Sequence, residues 1–113
     1  MKKFSCIICG ILICASVCAQ SRVIRISCVG GSITQGHGTT KPWDENSYPA
    51  LMGKMLGTNY HVENYGRSGC TMLRKGNCPY WDKEKYEPSM QSDPDIVFID
   101  LGGNDAKLMN RVH

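Results

Sequence analysis

A mostly apolar run, Val23-Ile24-Arg25-Ile26-Ser27-Cys28-Val29, stops abruptly at Gly30-Gly31-Ser32, and this ending constrains the chain more than any other feature. Val23, Ile24, Ile26, Cys28 and Val29 suit a strand buried in a largely parallel sheet, and paired glycines turn a backbone sharply at a strand's end. Ser32 therefore stands at the carboxyl edge of a strand. In open α/β sheets ligands bind at that edge, because the crossover connections leave a crevice outside it. Two further segments, about residues 60–65 and 95–101, also read as strands that finish in glycine turns, at Gly66 and at Gly102-Gly103-Asn104-Asp105.

Between the first two strands, Ser47 to Gly57 reads as a helix. Ser47 is placed to cap it, Pro49 fits its first turn, Gly57 stops it, and Leu51, Met52, Met55 and Leu56 recur at helical spacing as a core stripe. Residues 70–91 show no clean period and read as a long surface excursion with room for one short helix. The order strand, helix, strand, excursion, strand suits crossovers in a parallel sheet, with the first strand between the other two. The third strand is then expected to be buried on both faces. Gly31 to Gly36 lacks the lysine of a phosphate loop, His37 standing in its place, and the dinucleotide glycine spacing does not fit, so both nucleotide-binding schemes are excluded.

Composition narrows the setting. Lys2 and Lys3, an apolar stretch from Phe4 to Ala15 and the small side chains around Ala19 have the form of an export signal over residues 1–19, cleaved before Gln20, and the expected location is secreted or periplasmic. The apolar stretch is too short for a membrane span of about 20 residues, so no stable membrane insertion is expected. Removing residues 1–19 takes away two lysines and no acidic residue, which brings the formal charge from +3 to +1. Without a basic patch interleaved with aromatics, nucleic acid is not an expected partner. Residues 20–113 fall below the usual domain size of roughly 100–150 residues and read as the N-terminal portion of a domain.

Four of the seven cysteines lie within residues 1–19. Of the others, Cys28 sits in the first strand as an apolar filler, while Cys70 and Cys78 bracket a short polar loop and form a disulfide candidate, worth roughly 2.5 kcal/mol by loop-closure entropy. No Cys-x-x-Cys or histidine cluster accompanies them, so no metal site is expected, and nothing calls for another cofactor.

A serine at one glycine turn, with backbone N–H groups and an asparagine amide at two others, supplies what acyl transfer requires: a nucleophile, and donors for the oxygen that becomes negative in the tetrahedral intermediate. Gly30-Gly31-Ser32-Ile33-Thr34, Asn64-Tyr65-Gly66 and Gly102-Gly103-Asn104-Asp105 resemble, in order, the first three sequence blocks of the SGNH (GDSL-like) hydrolases. The resemblance implies a three-layer α/β/α sandwich with a parallel, flavodoxin-like sheet, of which this is the N-terminal portion. It implies Ser32 as catalytic nucleophile, an oxyanion hole built from the Ser32 and Gly66 N–H groups and the Asn104 side chain, and a small-molecule or glycan ester as substrate. Within the family the overall character is similar to secreted bacterial carbohydrate esterases of the sialate O-acetylesterase type, which implies removal of acetyl groups from carbohydrate.

Gly31 stands where the family name has aspartate, and the family's final Asp-x-x-His block is absent. His37, His61 and His113 have no evident route to Ser32 in this layout, so residues 20–113 alone are expected not to turn over esters. The alternative of a different class is an exported carbohydrate-binding or interaction protein that reuses the fold without catalysis.

Overall fold

A computed structural model describes residues 21–111, the side chain of Arg111 excepted. Residues 1–19, expected to be an export signal, with their four cysteines and the expected cleavage site, and His113 lie outside the described residues. Strand β1 spans Ile24–Gly30, followed by the single-turn helix α1 at Ser32–Gln35, the short helix α2 at Trp43–Asn46 and helix α3 at Tyr48–Leu56. Strand β2 is Tyr60–Gly66; after a long excursion come a 3₁₀ turn at Tyr80–Asp82 and helix α4 at Tyr86–Gln91, then strand β3 at Ile96–Asp100 and a last turn, α5, at Leu108–Arg111. The three strands form one parallel sheet in the order β2-β1-β3. The architecture is α/β, as the turn pattern implies. Among the described residues no helix is long and apolar enough to cross a membrane.

β1 is central, and its alternation shows which layer covers which face. Ile26 and Cys28 point to one face and are buried, Cys28 completely, beside Tyr48 of α3. Ser27 points to the opposite face, where its hydroxyl lies 2.9 Å from that of Ser92, which in turn donates to the Ser89 carbonyl at the end of α4. A buried serine is tolerable there because this chain of hydroxyls satisfies it. Helices α3 and α4 therefore flank the sheet on opposite faces, as the helical layers of a sandwich do.

Two expectations need correction. The Leu51, Met52, Met55, Leu56 stripe is not a core stripe: Met55 is 87 % exposed and Leu51 45 %. α3 meets the sheet through Tyr48, beside Cys28, and through Gly53, where a Cβ would touch Val62 at 3.5 Å, so the packing face is rotated from the one the methionines suggest. Ser47 does occupy the N-cap position, but its hydroxyl accepts from Asn64 Nδ2 (3.1 Å) rather than capping the helix. β3 is the second correction. Among the described residues it pairs with β1 alone, and Ile96, Val97, Phe98 and Ile99 are all at least 42 % exposed, because its outer edge is unpaired and its faces are at most partly covered, Val97 and Ile99 bordering an open apolar cavity with Trp81, Tyr86 and Met90. Its start is tied down by Asp95, which accepts from the Arg25 N–H (2.8 Å), pairs with Arg22 and donates its own N–H to the Arg25 carbonyl (2.8 Å).

The tightest packing in the sheet is at its carboxyl edge. A Cβ on Gly66 would stand 2.6 Å from the Thr34 carbonyl carbon and 2.7 Å from Gln35 Cα, both backbone atoms of α1. Gly66→Ala must push α1 off β2, and in the full-length protein it is expected to cost about 3 kcal/mol in a denaturant titration followed by circular dichroism. An unchanged midpoint would show that α1 does not lie so close.

Candidate active site

Sheet register brings the three glycine turns together. Gly30 is paired with Gly66 on one side and with Asp100 on the other, so the three strands end at the same level. The ladder then runs one step further: Gly31 N donates to the Asp100 carbonyl (3.1 Å) and Arg67 N to the Gly30 carbonyl (2.9 Å). Ser32 is the next residue and opens α1, where its N–H has no partner within the helix. Half-buried, it borders a cavity of about 160 Å³ together with Cys70, Asp100, Gly102 and Asn104. Ser32 and Asn104 thus share one site.

Asn104 is held by the excursion. Its Nδ2 donates one hydrogen to the Cys70 carbonyl (2.9 Å), which leaves the second amide hydrogen for another acceptor. Asp105 is a loop brace: its carboxylate accepts the N–H groups of Met72 (3.0 Å) and Leu73 (2.7 Å). Buried Asn110 accepts from Asn77 N (2.6 Å) and donates to the Asn104 carbonyl (2.7 Å). The third turn is in this way fastened to residues 70–77 by the side chains of Asn104, Asp105 and Asn110. Cys70 and Cys78 stand as thiols with their sulfurs 3.6 Å apart, and burial pushes the Cys70 thiol up to about 12.

Gly66 is placed differently. Its N–H is donated to Asn64 Oδ1 (2.8 Å), and the residue borders a separate depression with Gln35, Trp43 and Lys85. Asn64 is fully employed, since its Nδ2 also donates to the Thr34 carbonyl (2.8 Å) and to Ser47 Oγ. It clasps the end of β2 to α1 and to the start of α3.

His37 donates its backbone N–H to the Ser32 carbonyl (2.9 Å), but neither His37 nor His61 lines the cavity that Ser32 borders. His37 stacks on Trp43 with ring centroids 4.3 Å apart, and His61, opposite Arg25 at the second position of β2, has Nε2 3.3 Å from Glu63 Oε1. The Tyr65 hydroxyl, donating to Glu63 at 2.7 Å, together with His61 keeps the Glu63 carboxyl below its ordinary range. Arg67 forms an ion pair with Glu84 (3.0 Å, off the hydrogen-bonding angle) rather than facing the cavity. Tyr80 is buried and donates to the Tyr65 carbonyl (2.7 Å), Trp81 donates to the Met72 carbonyl (2.7 Å), and Trp43 carries Lys41 over its ring. Among the described residues no group of three His, Cys, Asp or Glu side chains is arranged to hold a metal ion.

Comparison with known proteins accounts for this edge of turns. A model of the GDSL-like lipase/acylhydrolase family matches residues 28–112. The chain belongs to that family. It is also 41 % identical over 87 residues to an acetylxylan esterase of Xylanibacter ruminicola, a match that covers 77 % of this chain and 18 % of that protein's length. The chain therefore spans less than one fifth of this relative. No solved structure matches it significantly.

Within this GDSL-like chain, what the sequence did not disclose is the part played by backbone acceptors and braces. The Cys70 carbonyl carries no side-chain signature, and Asn110 reads as an ordinary polar residue of a short helix. Asp100 had a usable signal, a charge closing an apolar strand, and its carboxylate accepts weakly from Thr34 Oγ1 (3.4 Å) beside the cavity.

Burial also raises the Cys28 thiol. Because the thiolate is the reactive form, Cys28 and Cys70 should resist iodoacetamide at pH 8 in the reduced native protein, while half-buried Cys78 is alkylated. Peptide mass mapping checks the pattern; rapid labelling of Cys70 would mean that the loop bracketed by Cys70 and Cys78 is open.

Proposed function

We propose that this chain carries the nucleophile and oxyanion donors of an exported esterase that removes acyl groups, acetyl above all, from carbohydrate. The observation that carries the proposal is the shared cavity, with the half-buried Ser32 and the spare amide hydrogen of Asn104 on its wall. Ser32 Oγ attacks the ester carbonyl; the carbonyl oxygen becomes negative and is received by Ser32 N–H and Asn104 Nδ2, each such donor typically worth about 3 kcal/mol of barrier. Gly66 N–H joins them by exchanging Asn64 Oδ1 for the substrate oxygen. The hydroxyl proton passes to a general base from outside the described residues, since His37 and His61 are engaged elsewhere.

Acetylated carbohydrate as the substrate class is supported by the relative named as an acetylxylan esterase, and export by the leader-like residues 1–19. The engagement of both described imidazole rings with other partners, His37 with Trp43 and His61 with Glu63, favours a second possibility, a carbohydrate-binding module that keeps the fold without turnover.

Labelling separates the two. In the full-length protein a fluorophosphonate should attach to Ser32 and be lost in Ser32→Ala, and Asn104→Ala should lower kcat for p-nitrophenyl acetate by about 10² to 10³. A properly folded full-length protein that takes up no probe would establish the binding module instead.

A further inference from the structure

Every side-chain tie between the third turn and the excursion lands in one small loop. Asn104 reaches the Cys70 carbonyl, Asp105 the Met72 and Leu73 N–H groups, and Asn110 the Asn77 N–H. All four of these partners lie in the segment 70–78. That loop has little apolar core of its own, Met72 and Leu73 being 44 % and 47 % exposed. What closes it is a short parallel pairing of Thr71 with Pro79, with Thr71 N donating to the Cys78 carbonyl (2.9 Å) and Tyr80 N to the Thr71 carbonyl (3.0 Å). Directly beside this pairing the Cys70 and Cys78 sulfurs touch at 3.6 Å. Cys70 thus faces two ways: its buried side chain looks into the loop, and its carbonyl holds the Asn104 amide.

We propose that Cys70 and Cys78 close a disulfide that locks this loop and so holds the Cys70 carbonyl against Asn104, making the two cysteines positioning residues for the oxyanion donor. The positioning role rests on the function proposed above for Asn104. A disulfide bond of about 2.05 Å requires the sulfurs to approach by about 1.5 Å from their present 3.6 Å. The oxidant is an external disulfide, whether a small molecule or a protein. Cys78, the more exposed sulfur, attacks it as thiolate and releases one thiol; Cys70 then loses its proton and displaces the second thiol from the mixed disulfide. Two protein thiols are oxidised and one external disulfide is reduced to two thiols. Cys28, sealed under α3, takes no part.

The test uses the full-length protein, equilibrated with either glutathione disulfide or dithiothreitol. Peptide mapping should find Cys70 linked to Cys78 and Cys28 free after oxidation. Reduction of the wild type, and Cys78→Ser as an independent variant, should each lower kcat for p-nitrophenyl acetate about tenfold, with KM within about twofold and an unchanged circular dichroism spectrum. In Asn104→Ala the redox state should make no difference, because no amide remains to be positioned. Three free thiols after oxidation of the folded protein would overturn the cross-link. Equal kcat in both states, or the same tenfold loss in Asn104→Ala, would overturn the positioning role. If Ser32-dependent hydrolysis is absent from both states, the esterase function fails and the positioning role with it, while the thiol map still decides whether the disulfide forms.

Discussion

The parallel pairing of β1 with both neighbours is the constraint on which the rest depends. Because Gly30 is opposite Gly66 and Asp100 at once, the three connections leave the sheet at one level, and residues more than seventy positions apart in the chain, Ser32 and Asn104, come to border the same cavity. A one-residue slip of either pairing would move the corresponding turn by about 3.3 Å and turn its side chains to the opposite face. The register is defended on both sides. Asp95 clamps the start of β3 to Arg22 and to the backbone at Arg25, and Asn64 with the glycine contact at residue 66 fixes the end of β2 against α1.

The site differs in rigidity from one side to the other. On the Ser32 side, order comes from sheet bonds continued past the strand ends and from a helical turn pressed onto Gly66. On the Asn104 side, order comes from polar side chains reaching a loop with little apolar core beyond the buried Cys70. Hydrogen bonds of that kind contribute only about 1 kcal/mol each in net terms, so the placement of Asn104 depends on several of them acting together with whatever else closes residues 70–78. The unequal support matters because an oxyanion donor is useful only when it is already in place before charge develops.

Much of this was legible in the sequence. The three strands, their order and the convergence of Ser32 and Asn104 follow from apolar runs that end in glycine turns, a pattern tied closely to backbone geometry. Less legible was anything decided by what packs against an element. The Met and Leu positions of α3 have helical spacing, yet the helix meets the sheet through Gly53, close to Val62, and through Tyr48, beside Cys28. β3 has the composition of a strand covered on both faces, but pairs with β1 alone among the described residues and stands exposed. Ser47 and Asn64 looked like a cap and a turn residue; they bond instead to each other, since a side chain's partner is set by tertiary approach and not by local sequence.

The central claim is that Ser32 and Asn104 act on one oxygen. A crystal structure of the full-length protein after reaction with a fluorophosphonate tests it most directly, because the phosphonyl oxygen occupies the place of the oxyanion. The expected result is a covalent bond from Ser32 Oγ to phosphorus, with that oxygen about 3 Å from both Ser32 N and Asn104 Nδ2, and Nδ2 still bound to the Cys70 carbonyl. An adduct on Ser32 whose oxygen turns away from Asn104, or an adduct on a different serine, would contradict it.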